Sequence, residues 1–307
     1  MRAILFLFAV SIGAFAPARA ETPPSLAPTT AASNDAHPAL WTAHGKHGTV
    51  YLLGSIHILP PDEHWRTPAI EQAIDKADVF AFEIPTDAKA AMELREMVAE
   101  RGMLPPDKSL HEMLTPEAQR DLDKAIALAG VPPDAVDRQR PWLAGLTLTI
   151  SRMMHTHDLA SESGVDRVLA REATARHKEL RFMETMKQQL DLLAPKHDDK
   201  MEIEEFQSGL KDFLTENDDT ELNQLIAAWA HGNPQEIDRL FNKSLAKYPD
   251  LRKMLLEDRN KAWVKKIEPM LDNEDKVFLI TVGAGHLVGQ TGVPNLLRKA
   301  GYKVDGP

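Results

Sequence analysis

Thr49-Val50-Tyr51-Leu52-Leu53-Gly54-Ser55-Ile56-His57 is the stretch that decides the fold. Its apolar run TVYLL is nearly continuous, the pattern of a strand buried on both faces of a sheet. Gly54 lets the chain turn sharply off the strand end with no Cβ to obstruct it. A second copy lies near the other end of the chain, where VFLITV (277–282) runs into Gly283-Ala284-Gly285-His286. A single G-x-x-H is a weak signal. Two copies, each after a hydrophobic strand, put both histidines at the carboxyl edge of one sheet, where open α/β sheets bind their ligands.

Working outward, ALWTAH (39–44) and Gly45-Lys46-His47-Gly48 complete a hairpin with TVYLLGS. Pro60 and Pro61 interrupt the loop that follows. A helix is expected over residues 68–76, then a buried strand DVFAFEI ending at Glu83. From about residue 86 to 271, apolar residues recur at three and four spacing, for example in AMELREMVAERG, PEAQRDLDKAIALAG and DRNKAWVKKIEPML. Thr115-Pro116-Glu117 is a helix start and Gly130 a stop. The exception is ELRFME (179–184), which reads as a third strand ending near Glu184. After the second G-x-x-H, VPNLLRKAG forms a helix and YKV a short last strand. The expected class is α/β: a central mixed β-sheet from both chain ends with a large helical insertion. It should be a single compact domain over residues 39–307, because no Pro/Gly/Ser linker divides them.

The N-terminus carries an export signal. Arg2 is a basic n-region, residues 4–15 are an apolar run too short for a comfortable membrane span, and Ala18-Arg19-Ala20 offers small-x-small cleavage after Ala20. Residues 1–20 are therefore read as a signal peptide and residues 21–38, rich in Pro, Ala, Ser and Thr, as a flexible leader. The mature chain is expected in the periplasm or secreted, with no stable membrane insertion. No cysteine is present, which excludes a disulfide framework and a lipoprotein anchor. Net charge is −10, and loss of Arg2 and Arg19 with the signal takes it to −12 (34 − 46). That argues against nucleic acid as a partner, since nucleic acid requires a basic patch.

A histidine at the mouth of a sheet is a metal ligand, a general base, an anion contact, or a structural residue that caps a loop. Glu83 follows its strand as His57 and His286 follow theirs, and reads as a ligand, a base or an end-of-strand solvation point.

At these residues the chain resembles the TraB/GumN/Tiki family. The pieces that carry the resemblance are YLLGSIH (51–57), ADVFAFE (77–83), GVDRVL (164–169), MET (183–185), RNKAW (259–263) and VGAGHLVG (282–289) followed by GVPNLLRKAGYKV. They span almost all of residues 40–304. The resemblance implies a fold similar to erythromycin-esterase-like and ChaN-like haem-binding proteins. The animal Tiki members are metal-dependent proteases, which implies a metal-dependent hydrolase here. Carried over to this chain, His57, His286 and Glu83 become metal ligands, and Glu83, Glu184, Arg259 and Asn260 catalytic residues. Asp166 matches the family's G-x-D, or stabilises a helix N-terminus as a first-turn acid.

Two imidazoles and one or two carboxylates suit Zn²⁺, Mn²⁺ or Co²⁺. Such an ion would lower the pKa of bound water. Glu184, more than Glu83, would then be the general base, and Arg259 with Asn260 would steady an oxyanion. The expected substrate is a peptide or another carbonyl compound. The alternatives are a non-catalytic haem- or metal-binding protein and an accessory factor in surface-polysaccharide export. His155-Thr156-His157 reads as solvated surface, because i,i+2 side chains diverge on a helix.

Overall fold

The computed structural model describes residues 36–307 except 158, 195–197, 216–217 and 247. Residues 1–20, read as a signal peptide, lie outside the described residues, as do residues 21–35 of the expected leader. Residues 36–38, read as leader, pack onto the fold: Ala36 is buried, and the His37 N–H donates to Ala230 O at 2.7 Å.

Strands β1 (Leu40–His44), β2 (Thr49–Ser55), β3 (Val79–Phe82), β4 (Glu179–Phe182), β5 (Val277–Gly283) and β6 (Lys303–Asp305) form one mixed sheet in the order β4-β3-β5-β2-β1-β6. β4, β3, β5 and β2 are parallel, whereas β1 runs antiparallel to both β2 and β6. The two G-x-x-H strands are direct neighbours, with Gly54 opposite Val282 and Ser55 opposite Gly283. Phe82 lies opposite both Thr281 and Phe182, so β3 and β4 end at the same level. Both strands stop slightly earlier than the sequence suggests, at Phe82 and Phe182. The pairing nevertheless continues past them, the Glu184 N–H donating to Glu83 O at 2.8 Å.

Helices cover both faces. On one face, α1 (Pro68–Lys76), α5 (Val165–Ala175), α8 (Asp218–Ala230) and α9 (Pro234–Leu245) bury Leu53, Phe80, Phe82 and Leu279. On the other, α10 (Asp258–Asn273) and α11 (Val293–Lys299) bury Leu52, Ala81, Phe278 and Ile280. This alternation along the strands is the period-2 rule of a pleated sheet. The remaining long helices are α2 (Ala88–Gly102), α3 (Pro116–Ala129), α4 (Pro141–His157), α6 (Met186–Leu193) and α7 (Asp199–Thr215). Among these, α3, α4 and α7 share a separate core around Leu122, Leu148, Phe206 and Phe213. The side chains of His155 and His157, at the end of α4, lie outside the described residues.

Local chemistry sets the boundaries that matter. Thr115 caps α3 by accepting from Ala118 N, Pro116 follows it, and Gly130 ends the helix at φ 64°, a left-handed position suited to glycine. Thr185 and Gln188 form a capping box that starts α6 directly after Glu184. A π-helical turn, Lys253–Glu257, leads into α10 two residues before Arg259. Such turns are often found at functional sites. No helix among the described residues is long and apolar enough to cross a membrane.

Candidate functional site

The carboxyl edge of the sheet gathers all six residues singled out from the sequence, together with Ser55, Asp166 and Trp263. None of the polar residues in this group is more than 9% exposed. Burial of so many ionisable groups is tolerated only where each is paired, and here each is.

His57 ends the first motif. Its Nδ1 lies 2.9 Å from Asp166 Oδ1, the oxygen to which the Ser55 hydroxyl donates at 2.7 Å. Asp166 reaches the ring because Gly164 permits a close backbone approach. A Cβ at Gly164 would sit 2.2 Å from His57 O, and the Val165 N–H donates to Ile56 O at 3.2 Å. Asp166 is therefore a first-turn acid of α5, as the sequence suggests, and also the partner of His57. Burial alone would lower the His57 pKa, but the Asp166 carboxylate and its hydrogen bond, with Glu83 farther off, outweigh it and raise the value. Burial likewise pushes Asp166 up, and the His57 charge and the two hydrogen bonds bring it below the ordinary aspartate value.

Arg259 is the hub. Its Nε donates to Glu184 Oε1 at 2.7 Å, and Nη2 donates to Glu184 Oε2 at 3.0 Å and Glu83 Oε2 at 2.7 Å. Nη1 donates to Leu255 O, in the π-helical turn, at 3.1 Å and to His286 Nε2 at 3.0 Å. The guanidinium lies over the Trp263 ring, 4.9 Å from its centroid, and Trp263 Nε1 donates to Glu184 Oε1. Glu83 Oε1 in turn accepts the Gly283 N–H at 2.6 Å.

His286 ends the second motif, on a 3-10 turn (Ala284–Leu287). A guanidinium has no acceptor, so His286 Nε2 must accept from it. Nδ1 then carries the proton and donates to Asn260 Oδ1 at 2.6 Å, while Asn260 Nδ2 donates to Thr291 O at 2.8 Å. Burial, then the Arg259 charge, then His57, hold the His286 pKa well below 6.5. The ring is neutral and packs against Trp263, the centroids 4.3 Å apart and the planes tilted by 39°.

The helical section props both motif loops. Trp229 Nε1 of α8 donates to Gly54 O at 2.8 Å, and the Phe241 ring of α9 lies where a Cβ at Gly285 would fall, 2.5 Å away. Gly283 leaves room at the mouth of the cluster. A Cβ there would be 3.1 Å from Glu83 Oε1 and 3.7 Å from His57 Nε2.

The residues meet as the sequence reading requires, but with different partners. Glu184, expected as a base, has both oxygens on Arg259. Asn260, expected at an oxyanion, commits its amide to His286 and Thr291. The donor set His57, His286 and Glu83 does not fit a divalent ion in this arrangement, because the guanidinium already holds Glu83 and the Nε2 lone pair of His286. No group of three or more His, Asp or Glu among the described residues is spaced to hold a metal. Ser55 and Trp263 were missed as functional partners although both lie inside the quoted motifs. Their hydroxyl and indole N–H were the available signal.

A model of the TraB/PrgY/gumN family matches residues 39–306. The chain is similar to an uncharacterized protein, YbaP, of Escherichia coli (strain K12). The two are 24% identical over 250 residues, 81% of this chain and 87% of that one. YbaP of Shigella flexneri matches at the same identity and coverage. No solved structure matches the chain.

Proposed function

The chain belongs to the TraB/PrgY/gumN family, and from that premise we propose that its buried cluster is a hydrolytic centre acting on a peptide bond or another carbonyl compound. The observation that carries this reading is the 2.9 Å contact of Asp166 with His57 Nδ1. A buried carboxylate on Nδ1 orients the imidazole and stabilises the imidazolium formed when Nε2 takes a proton. In the proposed step, a water oxygen attacks the carbonyl carbon as its proton moves to His57 Nε2. His57 then returns that proton to the leaving group as the carbon–leaving-group bond breaks. Arg259, its hydrogen bonds all committed, contributes its charge to the field at the developing oxyanion. No step passes through a metal.

A cleft of 520 Å³ at the strand ends of β3 and β4 is proposed to take the rest of the substrate. Its lining includes Phe82, Phe182, Thr86 and Arg167, and Phe82 and Arg167 directly adjoin Glu83 and Asp166 in the chain. Export to the periplasm is proposed on the basis of residues 1–20. A mature N-terminus at Glu21 in the periplasmic fraction supports it, and a full-length cytoplasmic chain rejects it.

The test is hydrolysis of a panel of p-nitrophenyl esters and chromogenic peptide amides, with and without EDTA. Turnover should survive the chelator and fall about 100-fold or more in His57→Gln, the usual size of a general-base contribution. Activity should rise with pH through the raised His57 pKa, since only the neutral ring is a base. No turnover across the panel, or equal turnover in the variant, rejects the reading. Loss with EDTA and recovery with Zn²⁺, Mn²⁺ or Co²⁺ would restore a metal mechanism.

A further inference from the structure

We infer that the Arg259 guanidinium is the built-in cation of this site, and that its side chain masks a divalent-cation site made by Glu83, Glu184 and His286. The inference goes beyond the hydrolase reading and stands without it, because it concerns only which cation these donors hold.

A guanidinium has five N–H donors, and each of those on Arg259 has an acceptor: Glu184 twice, Glu83, His286 and Leu255 once each. Four of the five go to the groups that would ligate a metal. The guanidinium is thus a cation coordinated by two carboxylates and an imidazole, with a π-turn carbonyl as the fifth contact.

Three features would keep the donors in place without it. His286 is fixed independently of Arg259, since Nδ1–H is tied to Asn260, itself tied to Thr291, and the ring packs against Trp263. A hydrogen bond from the non-ligating nitrogen is the usual support for a metal-bound histidine. Glu83 is held from the far side by the Gly283 N–H, and Glu184 by Trp263 Nε1. His286 Nε2 and Glu83 Oε1 are 4.0 Å apart. Oε1 stays on the Gly283 N–H, so the carboxylate oxygen that would face an ion is Oε2, which the guanidinium now occupies.

The test reads bound metal and requires no substrate. The mature chain, Arg259→Lys, Arg259→Ala and Arg259→Ala/His286→Ala are dialysed against Co²⁺, Zn²⁺ or Mn²⁺, and metal content is measured. Wild type and Arg259→Lys should hold no metal at the site. Arg259→Ala should hold about one equivalent with the absorption bands of a low-coordinate Co²⁺ site, displaced by ethylguanidinium. The added His286→Ala change should weaken binding at least about tenfold. If wild type binds an equivalent that His286→Ala removes, the inference is overturned. It is equally overturned if folded Arg259→Ala binds no more than wild type. Should Arg259→Ala unfold, Co²⁺ or ethylguanidinium must restore its circular dichroism, because a ligand of the native state stabilises it by mass action. Restoration by neither overturns the inference.

Discussion

The two G-x-x-H motifs sit on adjacent parallel strands, one residue out of register, yet the pKa values of their histidines are shifted in opposite directions. His57 offers Nδ1 to the carboxylate of Asp166, and its pKa is raised. His286 offers Nδ1 to the amide oxygen of Asn260 and Nε2 to a guanidinium, and its pKa is well lowered. A repeated backbone turn therefore fixes where an imidazole stands but not its charge. The charge is chosen by what the flanking helices deliver, an aspartate from α5 on one face of the sheet and an Arg-Asn pair from α10 on the other. One ring is placed where an anion favours its proton and the other where a cation disfavours it.

The hardest break in that division is Arg259→Met. It strips the neutral half of its cation and leaves Glu83 and Glu184 facing each other under cover. Removing one partner of a buried ion pair costs about 3–5 kcal/mol, so the urea midpoint should fall by an amount of that size. A loss under about 1 kcal/mol, the worth of an exposed pair, would show that water reaches the carboxylates.

Asp166→Asn makes the first motif resemble the second, with an amide on Nδ1. The loss of a charged hydrogen bond should cost about 1.5–3 kcal/mol. With its main raising influence gone, the His57 titration followed by NMR should move down, while His286 keeps its neutral state. An unmoved His57 would assign its charge to Glu83 instead.

How much of this was legible depends on where each residue sits. His57, His286 and Glu83 follow buried strands, and a parallel sheet brings strand ends together whatever the intervening chain does, so their meeting could be read from hydrophobic runs alone. Glu184 was legible through the short strand Glu179–Phe182, which pairs with β3 although only four residues long. The partners were harder to read. Asp166 and Arg259 reach the edge from opposite faces of the sheet, and no periodicity in α5 or α10 announces which turn abuts it. The local clue was Gly164, whose missing Cβ lets α5 start against His57. The partners of Arg259 could not be read because a sequence shows two acids, two histidines and an arginine without showing that the arginine stands among the others. The capped helices of the insertion were visible from Thr115, Pro116 and Gly130. That α8 and α9 brace the motif loops through Trp229 and Phe241 was not, since those contacts span more than forty residues of chain.

The leading glycines extend the comparison at a smaller scale. A Cβ on Gly54 would lie 3.1 Å from the backbone Cα of Ala284, whereas one on Gly283 would lie 3.1 Å from a Glu83 carboxylate oxygen. Gly54→Ala wedges the two motifs apart and should cost about 1–3 kcal/mol, the usual penalty of overpacking. Gly283→Ala, at a half-buried position, should cost less stability and instead suppress turnover by filling the space beside His57 Nε2. Equal thermal shifts with equal activity loss would mean that the two glycines serve packing alone.

The smallest effect is the one that reads both histidines at once, the dependence of stability on pH. His57 has a folded pKa above its ordinary 6.5, so the proton it holds stabilises the fold fully below 6.5, and that contribution is lost as pH climbs through the folded value. His286 has a folded pKa far below 6.5, so the unfolded chain takes up a proton that the fold refuses, and stability falls as pH drops below 6.5. His57 faces Asp166, Ser55 and Glu83, while His286 faces Arg259, Asn260, Glu83 and Trp263. Asp166 stays ionised throughout, its own pKa being lowered. The two motifs thus bend the stability curve downward on opposite sides of a common point. A tenfold difference in proton affinity between the folded and unfolded chain is worth about 1.4 kcal/mol. Urea midpoints from roughly pH 5 to pH 8, the histidine range, should lose their upper limb in His57→Gln and their lower limb in His286→Gln. If both variants flatten the same limb, the two pKa values are shifted the same way, and the division between the motifs fails.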